Sequence, residues 1–246
     1  MPRGPREKNE TGLYHVMLRG IDKREIFLSK SDYERFLYYV EKVKENNSVI
    51  VFAYCLMPNH VHILLRSETE EIGDIMRRIS VGYAQYHNIK NGRTGHLFQN
   101  RFRSEPVNDD NYFLSALRYI HQNPVKAGLV KNVSGYKWSS YHEYIGNQPK
   151  LVDTSFALQF FSNISRFKEF INQPNEDKCL EYQHQIRYTD EELEKIISSS
   201  FDLDKLKYMD IESRNKILKK LKEDTGVGNR QLARVLGIGR SIIDRI

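Results

Sequence analysis

Val49-Ile50-Val51-Phe52-Ala53-Tyr54-Cys55-Leu56-Met57-Pro58-Asn59-His60-Val61-His62-Ile63-Leu64-Leu65 joins two runs rich in β-formers through a Pro-Asn pair. That pair is turn chemistry, so Val49–Leu56 and His60–Leu65 read as the two arms of a β-hairpin. Side chains alternate faces along a strand, which puts His60 and His62 on one side and Val61 and Ile63 on the other. Two imidazoles aimed into one space are half of a metal site. The plainer reading is a strand with two satisfied surface histidines, and the rest of the chain has to decide between them.

Working outward, Gly12–Arg19 reads as a strand before the hairpin, and Ser31 or Asp32 caps a helix running to about Asn46. After the hairpin, Thr69 to about Lys90 is a long amphipathic helix with Ile72, Ile75, Met76, Ile79 and Tyr83 on one side, closed by Asn91-Gly92. Phe98–Val107 reads as a further strand, on which Arg101 and Arg103 form a basic face behind Phe98 and Phe102. Asp109-Asp110 opens a helix that Pro124 should end or kink just past Asn123, with Gly128 suiting a C-terminal stop. The order β-α-β-β-α-β-α is that of an α+β, ferredoxin-like split βαβ antiparallel sheet with packed helices. Many functions share that sheet.

Composition narrows the field. The 246 residues carry a net charge of +6, with 28% charged and 39% hydrophobic side chains, which describes a globular chain with a polyanionic partner. No apolar run approaches the roughly 20 residues a bilayer requires, and nothing at the N-terminus resembles a signal segment. With two cysteines, Cys55 in a strand core and Cys179, a disulfide framework is not expected and a cytoplasmic location is.

Three pieces taken together resemble a known family: His60-x-His62 behind Met57-Pro58-Asn59; His96-Leu97-Phe98-Gln99-Asn100-Arg101-Phe102; and Tyr119-Ile120-x-x-Asn123-Pro124-Val125-x-Ala127-Gly128-Leu129-Val130. The chain is similar to the single-tyrosine HUH endonucleases, in the REP-associated tyrosine transposase branch of the insertion-sequence transposases. The similarity runs over about residues 10–145 and closes on Trp138-Ser139-Ser140-Tyr141. It implies that Tyr119 attacks a DNA phosphodiester, leaving a 5′-phosphotyrosyl enzyme and a free 3′-OH. It also implies that His60, His62 and Asn123 hold Mg²⁺ or Mn²⁺, and that the DNA is single-stranded and folded into hairpins from repetitive palindromes. Phenol is a weak nucleophile at its free pKa near 10, so such a step needs electrostatic help. Tyr112 is a second tyrosine near that face, without ligand-like neighbours. His15, His87, His96 and His121 lack a partner at metal spacing, with His96 the one nearest the site. Arg19, Arg101 and Arg103 are the candidate DNA contacts, alongside Arg77, Arg78, Arg93 and the basic lead Arg3, Arg6 and Lys8.

The chain divides into residues 1–148 as the catalytic domain, 149–188 as a helical connector and 189–246 as an all-α region. In the last, Leu232, Ala233 and Leu236, the turn at Gly237, and Ile242 and Ile243 have the pattern of a helix-turn-helix, which stops at Ile246 as a truncated or degenerate one would. Arg240, Ser241 and Arg245 would then face duplex DNA, and the protein, monomer or homodimer, would sit with the nucleoid when bound. The alternatives are a non-catalytic nucleic-acid-binding regulator on the same fold, a metal-dependent phosphodiesterase using water, and an RNA-binding module.

Overall fold

The computed structural model describes residues 11–45, 49–146, 150–175, 177, 179–180, 188–200, 209–225 and 227–245. The basic lead Arg3, Arg6 and Lys8 lies outside them. The chain forms two units, residues 1–181 and 182–246. Among the described residues no helix is long and apolar enough to cross a membrane.

The first unit is α+β. Four strands, β1 (Leu13–Arg19), β2 (Val49–Met57), β3 (His60–Ser67) and β4 (Arg103–Pro106), form one sheet in the order β2-β3-β1-β4, every neighbour antiparallel. Helix α1 (Lys30–Glu45) joins β1 to β2, and α2 (Ile72–Lys90) joins β3 to β4. Because β3 lies between β1 and β2, the two strand-helix-strand units interleave. Met57 pairs with His60, so the hairpin turn is Pro58-Asn59 alone. Helix α3 (Asp110–Lys126) follows, with Asp109 accepting from the Tyr112 N–H as its N-cap.

The core shows why these patterns fold. Val16, Leu18, Val61, Ile63 and Leu65 are buried with Phe36, Val40 and Val43 of α1 and Ile75, Met76, Ile79 and Tyr83 of α2. Phe113, Leu117 and Ile120 of α3 join the same core. Trp138–Tyr141 lines the outer edge of β2: Leu56 N–H donates to Trp138 O, Cys55 bridges to Ser139, and Ser140 Oγ accepts from the Tyr54 N–H. That covers an otherwise open strand edge. The stretch expected to be a connector, 149–188, lies largely in this unit: after the short α4 (Tyr141–Ile145), α5 (Ser155–Leu158) and α6 (Ile164–Asn172) bury Ala157, Phe167 and Ile171 in its core. Both cysteines are free, Cys55 fully buried.

Three expectations need correcting. Of the stretch Phe98–Val107, expected as one strand, Arg103–Pro106 forms β4, and Phe98 makes a separate isolated bridge to Gly20. Gln99 N–H donates to Arg19 O while Arg103 pairs with Met17, so four steps on one side meet two on the other. Asn100–Phe102 therefore loop out of register, and Arg101 does not share a strand face with Arg103. Pro124 does not end α3, which continues to Lys126. Its missing N–H removes one bond only, and the helix closes one turn later where Gly128 at φ 70° lets Gly128 N–H reach Val125 O and Leu129 N–H reach Pro124 O. At α1, Ser31 is not the cap: the helix begins at Lys30, and Asp32 reaches back to the N–H groups of Leu28 and Ser29.

The second unit, taken by itself, holds α7 (Asp190–Ser200), α8 (Ile211–Thr225), α9 (Asn229–Leu236) and α10 (Arg240–Ile243). Thr189 and Glu192 cap α7 reciprocally. Leu193, Ile197, Leu218, Leu221, Leu232, Ala233, Leu236 and Ile243 make a separate small core. Gly237 at φ 61° stops α9 and turns the chain into α10.

Asp32 offers a test of the first unit. Burial opposes its charge, but hydrogen bonds from Lys90 (2.6 Å), Leu28 and Ser29 outweigh it and hold the carboxyl below its usual range. A lowered carboxylate contributes stability that is present above its unfolded value near 3.9 and lost as pH falls through the folded one. Asp32→Asn should therefore cost about 1–3 kcal/mol in urea melts at pH 7, and the gap to the wild type should close as the pH is taken below about 4.

Candidate active site at the junction of β3 and α3

Directly paired residues on antiparallel strands point to the same face. His60 pairs with Arg19 and Met57, and His62 with Met17 and Cys55, while Met17 also pairs with Arg103. One face of the sheet thus carries His60, His62, Arg19 and Arg103 together with His15, which is two residues from Met17 on β1. This is the face that α3 covers.

Helix α3 brings three polar side chains to it, at i, i+4 and i+7. The Tyr119 ring lies 5.5 Å from the His62 ring, edge-on. Asn123 Oδ1 lies 3.2 Å from His60 Nε2. Lys126 Nζ sits 5.0 Å from the centre of the Tyr119 ring. Tyr119 and Asn123 are 3% and 8% exposed, so the constellation is nearly closed off by its surroundings. The other flank of α3 is held by Ile171, Gln173 and Asp177: Arg118 makes a two-bonded ion pair with Asp177 (2.7 and 2.8 Å), and Gln122 donates to Ile171 O and Gln173 O.

The Pro58-Asn59 turn sets the position of His60. Pro58 O accepts from the N–H groups of Ile26 and Phe27, and Asn59 O accepts from Gly20 N–H. His60 Nδ1 is 2.6 Å from Asn59 Oδ1. A carbonyl oxygen can only accept, so the neutral ring donates from Nδ1 and keeps its lone pair on Nε2. That lone pair faces a second acceptor, Asn123 Oδ1. In the neutral ring that pair of acceptors, 3.2 Å apart, can be bridged by a cation, whereas a protonated Nε2 would donate to the amide oxygen. Ligands at about 2.1 Å in adjacent octahedral positions stand about 3 Å apart, close to this separation. The donor set of two imidazoles and an amide oxygen thus fits a divalent ion. Among the described residues no group of three His, Cys, Asp or Glu is arranged to hold a metal.

His15 was expected to lack a partner and does not. Its Nε2 lies 2.9 Å from His62 Nδ1, both rings are buried, and the ring centres are 5.1 Å apart. Burial drives both imidazoles toward the neutral form: His15 is lowered to about 3, and His62 falls well below its ordinary value, with His15 and His60 adding to the effect. His96, expected to be the neighbouring histidine, instead lines a cavity of about 560 Å³ between α2 and the 95–101 loop, with Gln85, Gln99, Asn100 and Arg101. His121 is a core residue bonded to Ser140 Oγ. Tyr112 is tied to the Glu105 carboxylate two turns before Tyr119, and burial with that partner raises its phenol. Lys126 was legible in principle, since i+7 from Tyr119 falls on the same helix face; His15 needed the strand register.

Residues 9–123, just under half of the chain, match the family described as "Transposase IS200 like". The resemblance to the REP-associated branch is likewise borne out. The chain is 26% identical over 157 residues to the REP-associated tyrosine transposase of Escherichia coli K12, covering 63% of this chain and 90% of that protein. A Haemophilus influenzae relative described in similar terms is 26% identical over 149 residues, 56% of this chain and 84% of its own. A solved REP-associated tyrosine transposase bound to a REP hairpin shares the fold, with a TM-score of 0.56 at 18% identity over 76% of this chain and all of that one.

Gly20 tests the link between loop and site. A Cβ there would stand 2.2 Å from Arg24 O and 2.8 Å from Ile26 Cγ2. Gly20→Ala should lower stability by about 1–3 kcal/mol in denaturant melts, and His60 resonances should shift in NMR spectra because Gly20 anchors the Asn59 carbonyl.

Proposed function

We propose that this protein is a metal-dependent single-stranded DNA endonuclease and strand transferase of the single-tyrosine HUH type, acting on DNA hairpins through a 5′-phosphotyrosine. The observation that carries the reading is the meeting of Tyr119 and Asn123, one helical turn apart, with His60 and His62 on the facing strand. The interleaved antiparallel sheet is read as ferredoxin-like, and it serves to hold that meeting rigidly. His60, His62 and Asn123 would hold Mg²⁺ or Mn²⁺, which when bound supplies charge to polarise a phosphate oxygen. Tyr119 Oη attacks phosphorus and gives up its proton to solvent; the P–O3′ bond breaks, and O3′ leaves as a hydroxyl after taking up a proton. The Lys126 ammonium, 5.0 Å from the centre of the Tyr119 ring, is read as a contact to the phosphate that the tyrosine attacks. Because the phosphotyrosyl ester conserves the bond, a 3′-OH can reverse the step and join strands.

Arg19 and Arg103, on the same sheet face, are read as contacts to the strand's phosphates, and Arg101 as a contact at the mouth of the α2 cavity. The relative solved with a REP hairpin supports hairpin DNA as the substrate class. In the second unit, α9 and α10 are read as a helix-turn-helix. Exposed Arg240 (paired with Asp244 at 3.2 Å), Ser241 and Arg245 are its proposed duplex contacts.

Incubation of a panel of labelled hairpin DNAs with Mn²⁺, read on a denaturing protein gel, tests the chemistry. A metal-dependent covalent band is expected, lost in Tyr119→Phe and kept in Tyr112→Phe. Cleavage without a band, unchanged by Tyr119→Phe, would indicate hydrolysis by water; binding without either product would indicate a regulator. Arg103→Ala should weaken binding evenly across hairpin sequences and reduce the log–log salt slope by about 0.7–0.9, measured by fluorescence anisotropy.

A further inference from the structure

We propose that His15 is a positioning residue: it accepts the Nδ1–H of His62 and so keeps the Nε2 lone pair of His62 available to a divalent cation. The proposal rests on the metal reading above and adds a residue to it. His15 Nε2 and His62 Nδ1, 2.9 Å apart, share one proton between two neutral rings. If His15 donates it, His62 accepts on Nδ1 and must carry its own proton on Nε2, where it cannot bind a metal. If His62 donates it, Nε2 is free, and His15 carries its proton on Nδ1.

Two features favour the second arrangement, and a third bears on why the residue is a histidine at all. His60 is held in the same way, with its Nδ1 on Asn59 Oδ1 and its Nε2 toward Asn123. A ring-nitrogen partner on the far side of a ligating imidazole is the usual device for fixing its tautomer. The His15 ring is fully buried and, among the described residues, its Nδ1 has no partner and His62 is the one polar bond found for this ring. A buried imidazole with one bond is expensive to keep as packing alone, since a leucine would fill similar space without an orphaned nitrogen. The register explains its reach: His15 is diagonal to His62 across the β1–β3 pair, a spacing that long side chains bridge.

Nitrogen-15 NMR of histidine-labelled protein reads the tautomers directly, and Mn²⁺ calorimetry reads the consequence. In the metal-free wild type, His62 should be protonated at Nδ1 and His15 at Nδ1. His15→Leu should weaken Mn²⁺ binding by about 10–100-fold, while His15→Gln, whose carbonyl can accept in place of Nε2, should recover most of it. A wild-type spectrum with His62 protonated at Nε2 would overturn the proposal, as would a folded His15→Leu protein with unchanged affinity. Should His15→Leu fail to fold, the wild-type spectrum and His15→Gln decide alone. A wild type that binds no Mn²⁺ would overturn the metal reading, while the tautomer assignment would still stand or fall on the spectrum.

Discussion

The face-to-face approach of His60 Nε2 and Asn123 Oδ1 is the constraint on which the site depends. The rest of the unit holds them 3.2 Å apart. The hydrophobic underside of α3 packs Phe113, Leu117 and Ile120 into the sheet core, and that packing fixes the helix against β3. Burial of this kind is worth about 1.5–3 kcal/mol per large side chain. It therefore fixes where Asn123 stands against His60.

The same arrangement accounts for the electrostatics. Three imidazoles, His15, His60 and His62, crowd one sheet face beside an apolar core. Protonating the buried pair would place like charges together in a poorly solvated space, so His15 and His62 stay neutral well below ordinary pH. Neutral imidazoles are what a metal needs. Arg19 and Arg103 flank them on the same face, and Lys126 stands over Tyr119, so positive charge surrounds the neutral centre where a phosphodiester would lie.

Much of this was legible in the sequence because it is local. Alternation along β3 puts His60 and His62 on one face, and 3.6-residue spacing puts Tyr119 beside Asn123. Glycine chemistry after Ala127 marked the end of α3. What escaped is non-local. His15 meets His62 only through the β1–β3 register, which no spacing within β1 reveals. The Phe98–Val107 segment has the composition of a strand, yet its pairing count against β1 forces Asn100–Phe102 out of line, and only the partner strand can show that. Pro124 was given too much weight: near a helix end, one missing N–H and a local clash are absorbed when the following turn is closed by Gly128. The connector was misread for a related reason, since the core places vacant for Ala157, Phe167 and Ile171 are made by distant elements.

The central claim is that His60, His62 and Asn123 form one cation site beside Tyr119. Anomalous diffraction from crystals soaked in Mn²⁺ tests it most directly. A peak bonded to His60, His62 and Asn123 Oδ1, within reach of the Tyr119 hydroxyl, is the predicted result. Mn²⁺ bound elsewhere, with His60 and Asn123 still in direct contact, would contradict it.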